Sequence, residues 1–269
     1  MIAKIVLSNN LMVEAIGFRN EDIHCEIEMA AGDDFESLLY ESRYAYDTAA
    51  YLGPVSPVQS NALSMLLNRG IHTILDIGSG SGYIAEWLIS TGFDVTACEI
   101  DLDAIEMCRR RGIEKIYSGT FLDLKSQHDA AILMGGSINT ERTENLRQAV
   151  ELYIMTIKDL VKHDGFLLTD LSYYHIPSIS TNQDYKVSKI RFGIADHWTD
   201  YSYHIYPHPN IFAQMMTDYG FEILDQSIVD LGSDAMSIQT RHYSLWRRSS
   251  QHLDRICSHV EVERPTLLE

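Results

Sequence analysis

Cysteine, long apolar runs and basic residues are all scarce in this sequence. The four cysteines are far apart and include no C-x-x-C pair, so no disulfide framework is predicted. No apolar segment approaches the roughly 18 residues that a membrane-spanning helix needs, and the first residues do not form a signal peptide. We therefore expect a cytoplasmic protein with no membrane partner.

Motifs of common hydrolytic and metal-dependent sites are also missing. There is no H-E-x-x-H and no G-x-S-x-G, and the eleven histidines show no metal-ligand spacing. No metal site is predicted. At 269 residues, of which 45% are hydrophobic, the chain is long enough for one α/β domain with an added subdomain.

The charge balance narrows the range of partners. A net charge of −17 disfavours nucleic acid, because proteins that bind it normally carry a basic patch. Residues 1–64 contain ten acidic residues against three basic ones. This excess is typical of a soluble surface, and it would also attract a cationic ligand. Both interpretations stay open.

The clearest motif is a glycine-rich stretch at residues 74–88, which reads ILDIGSGSGYIAEWL. Its apolar start predicts a buried strand, residues 78–82 predict a turn, and residues 83–88 have helical spacing. A strand, a glycine turn and a helix form the first unit of a doubly wound α/β sheet, in which ligands bind at the carboxyl ends of the strands. The glycines let a ligand approach the backbone closely.

The spacing of these glycines indicates which ligand is bound. They follow G-x-G-x-G, whereas dinucleotide-binding turns have G-x-G-x-x-G, and Asp76 lies just ahead of the first glycine. A carboxylate at that position suits an amino group better than a phosphate. Glu99 ends the next predicted strand, where doubly wound folds place an acid for ribose hydroxyls. An NAD-dependent oxidoreductase shares that acid, but the spacing and Asp76 oppose this alternative.

These residues resemble the D-x-G-x-G-x-G motif of class I S-adenosylmethionine (SAM)-dependent methyltransferases. The resemblance implies a Rossmann-like, seven-stranded doubly wound sheet at residues 56–247, with SAM as cofactor and S-adenosylhomocysteine (SAH) as product. Residues 1–55 are predicted to form an N-terminal helical lid and acceptor region. An inserted β-hairpin cap is predicted at residues 177–207, and residues 248–269 form a C-terminal tail with no assigned role.

The predicted cofactor-binding residues come from the motif, from the following strands and from the N-terminal region. They are Asp76, Gly78, Ser79, Gly80, Gly82, Glu99, Ile100, Thr120, Phe121, Gly135, Arg43 and Tyr44. Many related proteins bind the adenine amine with an acid where this chain has Thr120. Asp123 or stacking by Phe121 are therefore alternatives for the adenine.

A second departure from the family concerns the methionyl carboxylate of SAM. In glycine N-methyltransferase-like proteins, an arginine ahead of the first strand binds this group, and residues 56–60 contain none. Either Arg43 substitutes for it, or Gln59 and Ser60 bind the carboxylate as neutral groups.

Three residues from the fifth predicted strand onward are candidates for catalysis. Asp170 is the first candidate for accepting a proton from an amine, followed by His175 and Tyr174. Each also fits a structural role, as a strand-end hydrogen-bonding group or a buried aromatic. Methyl transfer depends mainly on alignment of the reactants, so no larger catalytic cluster is required.

The predicted reaction is methyl transfer to an amine nitrogen of a small molecule or short, modified peptide in secondary metabolism. The acceptor would be cationic if the N-terminal acids attract it. In layout the chain looks most like N-methyltransferases of peptide natural products, with plantazolicin-type α-N-methyltransferases as one candidate. An O-methyltransferase acting on a phenol or carboxylate is an alternative, and so is a non-catalytic SAM-binding partner subunit.

Overall fold

The computed structural model describes residues 2–8, 23–31, 55, 57–136, 138–139, 145–175, 184–194, 197–198, 202–233 and 238–249. The helices are α1 (Pro57–Ser64), α2 (Tyr83–Ser90), α3 (Leu102–Arg110), α4 (Leu146–Leu160) and α5 (Pro209–Asp218). The strands are β1 (Ile2–Ser8), β2 (Ile23–Ala31), β3 (Thr73–Ile77), β4 (Asp94–Glu99), β5 (Ile116–Ser118), β6 (His128–Gly136), β7 (Ile138–Asn139), β8 (Val161–His175), β9 (Tyr185–Ile194), β10 (His197–Trp198), β11 (Ser202–Pro207), β12 (Phe221–Ser233) and β13 (Ile238–Arg248). None of the described helices is long and apolar enough to cross a membrane.

The larger sheet has seven strands in the order β12-β13-β8-β6-β3-β4-β5. Strands β5, β4, β3, β6 and β8 are parallel to one another, whereas β13 is antiparallel to both β8 and β12. This arrangement confirms the predicted seven-stranded, doubly wound sheet.

Helices cover both faces of this sheet, which explains why β3 has apolar side chains on both of its faces. Ile74 packs in a cluster with residues of α1, α2 and α3, whereas Leu75 and Ile77 pack in a cluster with residues of α4 and α5. Successive side chains of a strand point to opposite faces, so a strand between two helical layers is apolar at every position. Asp76 breaks this rule although it is buried.

One edge of the sheet brings the predicted site residues together. Ile77 lies beside Cys98 of β4 and Leu133 of β6 in the parallel register. Strand β8 continues past this level, and its Leu171 lies beside Gly136. The glycine turn, Glu99, Gly135 and Asp170 therefore all lie at the carboxyl edge.

The opposite edge is held by a carboxylate. Asp129 Oδ2 accepts hydrogen bonds from the backbone N–H groups of His72 and Thr73, both at 2.9 Å. Lys162 Nζ donates to the other oxygen at 2.8 Å. These contacts tie the amino ends of β3, β6 and β8 together, on the side away from the predicted site.

A smaller sheet has the order β1-β2-β9-β11-β7, with β10 paired to β9. Strands β9 and β11 are antiparallel, with Ser202 opposite Ile190 and Pro207 opposite Tyr185. The alternating pattern at residues 186–192 and 201–206 predicts this pairing. The function of the pair as a cap over an acceptor stays a prediction.

The described residues of the N-terminal region form strands β1 and β2. Strand β1 pairs with β2, and β2 pairs with β9 from Ile23 opposite Ile194 to Ala31 opposite Lys186. Strand β2 thus has a partner far along the chain, which local patterns do not reveal. The helical lid predicted within residues 1–55 stays a prediction, because residues 9–22 and 32–54, among them Arg43 and Tyr44, lie outside the described residues.

Candidate functional site

The turn after β3 leaves open space beside its backbone. Gly78 and Gly80 have φ angles of 68° and 54°, in the left-handed region that favours glycine. A Cβ atom added to either would meet no heavy atom within 4 Å. The N–H groups of Gly78 and Ser79 donate to the carbonyl oxygen of Cys98, at 2.9 and 3.1 Å, which fixes the turn on β4. This space is suitable for a ligand that lies against the turn.

Gly82 also has a positive φ, of 80°, and it is glycine for a second, steric reason. A Cβ atom there would collide with Ile113 Cδ1 and would lie 2.8 Å from Cys108 Sγ. The sequence predicts that all three glycines make room for a ligand. The structure shows that Gly82 makes room for the packing of α2 against α3 and the residues after it.

Glu99 connects the turn to the end of β4. Its Oε2 accepts a hydrogen bond from the Gly80 N–H at 2.8 Å, and its Oε1 accepts from the N–H groups of Ile100 and Asp101 at 2.8 and 3.0 Å. Burial raises the pKa of Glu99, and these hydrogen bonds oppose the shift. An ionised carboxylate has about four acceptor sites, so with three in use Glu99 retains capacity for about one further hydrogen bond, from a ligand hydroxyl.

Asp76 is the least expected residue in the core. Its side chain lies at the end of β3, 1% exposed, and burial together with the charge of Glu99 raises its pKa to about 7. Oδ2 of Asp76 is buried and has no hydrogen-bond partner among the described residues. Leaving a buried acceptor unpaired is costly, so this oxygen suits a ligand that brings a donor or a positive charge.

Tyr83 begins α2 directly after the turn and contacts α1. Its hydroxyl accepts a hydrogen bond from Gln59 Nε2 at 2.9 Å. Burial raises the pKa of this hydroxyl, and the charges of Asp76, Arg241 and Asp170 also act on it. The hydroxyl therefore lies within electrostatic range of the carboxylates of Asp76 on β3 and Asp170 on β8.

Asp170 lies on β8 at the same edge and is 1% exposed. Its Oδ2 accepts a hydrogen bond from Arg241 Nη1 of β13 at 3.1 Å. Burial raises the pKa of Asp170, while Arg241 and the backbone N–H of Gly135 act to lower it. Oδ1 is buried and has no hydrogen-bond partner in the described part of the chain. The predicted base is thus the buried member of an ion pair whose arginine is partly exposed.

The residues predicted to contact adenine lie in unequal environments. Phe121 is 7% exposed and packs edge-on against Tyr153 of α4, with ring centroids 4.8 Å apart, so little of its ring is available for stacking. Thr120 caps the short 3-10 helix Phe121–Asp123 through a hydrogen bond from the Leu122 N–H. Ile100 is 56% exposed and offers the larger accessible apolar surface.

Gly135, Tyr174 and His175 are the other predicted positions, and Gly135 alone of the three is fully described. Gly135 has a φ of 151°, and a Cβ atom there would meet nothing within 4 Å. Tyr174 and His175 continue β8 beyond Asp170 and pair with the first residues of β13, but their side chains lie outside the described part of the structure.

The site fits the cofactor that the sequence resemblance implies. Asp76 offers an unpartnered buried carboxylate oxygen to an amino group, and Gly78 and Gly80 leave space along the turn. Glu99 offers acceptor capacity to hydroxyls. The amino group and the ribose of SAM carry these complementary features.

One family model matches part of this chain. The family described as "Methyltransferase domain" matches residues 75–168. No curated protein matches the chain.

Solved structures with a similar fold are SAM-dependent methyltransferases. One from Methanosarcina mazei is 16% identical with a TM-score of 0.53, and the match covers 73% of this chain and 99% of that one. One from Clostridium acetobutylicum is 13% identical with a TM-score of 0.52, covering 71% and 90%. The glycopeptide N-methyltransferase MtfA, complexed with SAM, is 12% identical with a TM-score of 0.50, covering 77% and 99%. At these identities the likeness shows a Rossmann-like methyltransferase fold, and the match to the methyltransferase family model extends over residues 75–168.

Proposed function

We propose that this chain transfers a methyl group from SAM to an amine nitrogen of a small molecule or short peptide. The observation that carries the proposal is the buried Asp170 carboxylate at the carboxyl edge, one oxygen of which has no partner among the described residues. Such an oxygen favours a ligand that is cationic or donates a hydrogen bond. A protonated amine has both properties.

The residues around the turn hold the cofactor in this proposal. Asp76 binds the amino group of the methionyl part, the turn at Gly78 and Gly80 lies against the cofactor, and Glu99 accepts hydrogen bonds from the ribose. Ile100 supplies exposed apolar surface beside Glu99. When bound, SAM supplies a methyl group on a positively charged sulfur, and transfer leaves the carbon–sulfur electron pair on SAH.

The chain's own contribution is to align the amine and to manage its proton. An ammonium group has no lone pair for attack, so Asp170 accepts its proton and becomes a neutral carboxyl, leaving a neutral amine. Alignment of the reactants supplies about 7–11 kcal/mol of the barrier in well-oriented reactions. A positioned base adds about 10²–10⁴-fold in rate.

Other features agree with an amine acceptor. The acidic excess within residues 1–64 would attract a cation. MtfA is named as a glycopeptide N-methyltransferase, so a similar fold accommodates an acceptor of the proposed kind. The narrower resemblance to plantazolicin-type α-N-methyltransferases stays a prediction, as does a role in secondary metabolism.

Intact-mass spectrometry of an acceptor panel tests the proposal. The panel contains short peptides with free and blocked α-amines, a peptide beginning with arginine, free amino acids, and phenols, each incubated with SAM. We expect one or more additions of a methyl group to free-amine peptides or amino acids and none to the blocked peptides.

Two results would contradict the amine assignment. Methylation of phenols alone would identify an O-methyltransferase. Binding of SAH in calorimetry without any product across the panel would favour a non-catalytic SAM-binding subunit.

A further inference from the structure

Asp170 and Arg241 lie on neighbouring antiparallel strands of the larger sheet. Asp170 is opposite Tyr243, and Arg241 is opposite Ser172, two residues further along β8. The two charged side chains are therefore diagonal neighbours on one face of the sheet, close enough to interact directly. They are joined by the hydrogen bond of 3.1 Å between Arg241 Nη1 and Asp170 Oδ2.

The burial of the pair is unequal. The Asp170 side chain is 0% exposed, whereas that of Arg241 is 26% exposed. A second ion pair on the same sheet is more exposed. Arg247 Nη2 of β13 lies 2.7 Å from Glu222 Oε1 of β12, and 43% and 46% of these two side chains are exposed. Because Asp170 is out of water, its charged form depends on partners within the protein.

The two oxygens of Asp170 have different surroundings. Oδ2 is held by Arg241, while Oδ1 has no hydrogen-bond partner among the described residues although it is buried. We propose that Arg241 is a positioning residue, which holds the Asp170 carboxylate through Oδ2 so that Oδ1 faces the ammonium group of the acceptor. This inference rests on the proposed function, because it assigns the atom that receives the acceptor's proton.

The other groups that face Asp170 do not replace Arg241. Tyr243 of β13 is opposite Asp170 and interacts with Arg241, and Tyr83 of α2 is within its electrostatic range. Neither phenol carries a positive charge. The backbone N–H of Gly135 on β6 favours the charged form of Asp170 by hydrogen bonding but carries no net charge. Among the described residues, Arg241 is thus the cation that opposes the effect of burial on this carboxylate.

A titration of the unliganded protein tests the pair without turnover. In protein labelled with ¹³C at the aspartate carboxyl carbon, the Asp170 resonance is assigned by its loss in Asp170→Asn. We expect Arg241→Gln to raise the titration midpoint of Asp170 by at least about 1 pH unit, since a neighbouring arginine lowers an aspartate pKa by 1–3 units. Arg241→Lys keeps the charge, so the Asp170 midpoint in that variant should lie close to the wild-type value.

Arg247→Gln is the matched control, because it removes the same charge from the same strand at an exposed pair. It should leave the Asp170 midpoint unchanged. An unchanged midpoint in Arg241→Gln would overturn the proposal. If that variant does not fold, the kinetics of Arg241→Lys decide, because lysine keeps the charge but lacks the planar guanidinium that holds Oδ2. A raised KM for the amine is expected, and kinetic constants identical to those of the wild type would overturn the role.

Kinetics with an amine that the panel identifies test the assignment of Oδ1. We expect Arg241→Gln to raise KM for the amine and to lower kcat about 100-fold at neutral pH, with partial recovery at higher pH, while the Kd for SAH is unchanged. A shifted Asp170 midpoint with an unchanged KM and kcat would overturn the role of Oδ1. A panel without any methylated amine would contradict the proposed function, while the titration still reports on the ion pair.

Discussion

The side chains of Gln59 and Tyr83 join α1 to the start of α2, through a hydrogen bond of 2.9 Å from Gln59 Nε2 to the Tyr83 hydroxyl. Because the hydroxyl oxygen accepts from Gln59, its own proton remains available for another acceptor. Asp76 and Asp170 both act electrostatically on this hydroxyl, so it lies near the proposed subsites for the cofactor amine and the acceptor. A testable role for Tyr83 is donation to the methionyl carboxylate of SAM, in place of the arginine that residues 56–60 do not provide.

This role predicts a ligand-dependent effect of Tyr83→Phe. Loss of one hydrogen bond of about 1 kcal/mol should weaken SAH binding about fivefold. Binding of 5′-methylthioadenosine, which has no amino and carboxyl groups, should be unchanged. Calorimetry with both ligands measures the difference, and Tyr219→Phe, at the end of α5, serves as the control. Equal weakening for both ligands would show that Tyr83 supports the turn rather than the carboxylate.

Asp76 predicts a pH dependence of cofactor binding. Burial and the charge of Glu99 raise its pKa to about 7 in the unliganded protein. A bound ammonium group favours the charged carboxylate, so the complex has the lower pKa and binding releases a proton. The affinity for SAH should therefore rise with pH, by about tenfold between pH 6 and pH 8.

Calorimetry in buffers of different ionisation enthalpy measures both the affinity and the proton release. Asp76→Asn should bind SAH more weakly, and its affinity should depend less on pH between 6 and 8. A wild-type affinity that is the same at both pH values would mean that the amino group does not bind Asp76.

The cofactor half of the site could be predicted because its signals are local. Asp76, the glycine turn and Glu99 fall within one strand–turn–helix–strand unit, and the register of parallel strands brings their ends together. The Asp170–Arg241 pair spans 71 positions, and the Gln59–Tyr83 contact spans 24. Such contacts depend on which strands and helices are neighbours, so no short pattern indicates them.

Two further features depend on distant contacts. Phe121 has a ring suited to stacking on adenine, which stays a prediction, and the packing of α4 places Tyr153 against it and buries it. Strand β2 pairs with β9, which lies more than 150 positions further along the chain. The role of Arg241 could not be predicted, because the sequence around it shows only one arginine on a strand that also carries Arg247 and Arg248.

Asp129 predicts a stability effect far from the site. Burial raises its pKa, but the hydrogen bonds from Lys162, Thr73 and His72 outweigh it and lower the pKa well below the usual range. Asp129→Ala would leave two backbone N–H groups without this acceptor. We expect a loss of about 3 kcal/mol in the free energy of unfolding at pH 7, measured by urea denaturation.

The sign of the pH dependence follows from the lowered pKa. The folded protein keeps Asp129 charged, so its contribution is complete above the unfolded pKa of about 4 and declines as the pH falls below it. The difference between wild type and Asp129→Ala should shrink by about 1 kcal/mol from pH 6 to pH 3. Asp94→Ala, which breaks an exposed pair with Lys115, should cost less than about 1 kcal/mol. Equal losses for the two variants would contradict the role of Asp129 at the amino edge.

Gly78 and Gly70 form a pair of positions at which backbone strain and ligand contact can be separated. Their φ angles are 68° and 69°, and a Cβ atom at either would meet nothing within 4 Å. Alanine at either position should therefore introduce the same backbone strain and lower the free energy of unfolding by about 1 kcal/mol. Only Gly78 lies in the turn that is proposed to contact the cofactor, whereas Gly70 follows α1 at the amino side of β3.

Gly78→Ala should thus weaken SAH binding at least tenfold, while Gly70→Ala leaves it unchanged. Calorimetry measures the binding of SAH, and thermal unfolding measures the stability of both variants. Equal SAH affinities in the two variants would mean that the space beside Gly78 does not hold the cofactor.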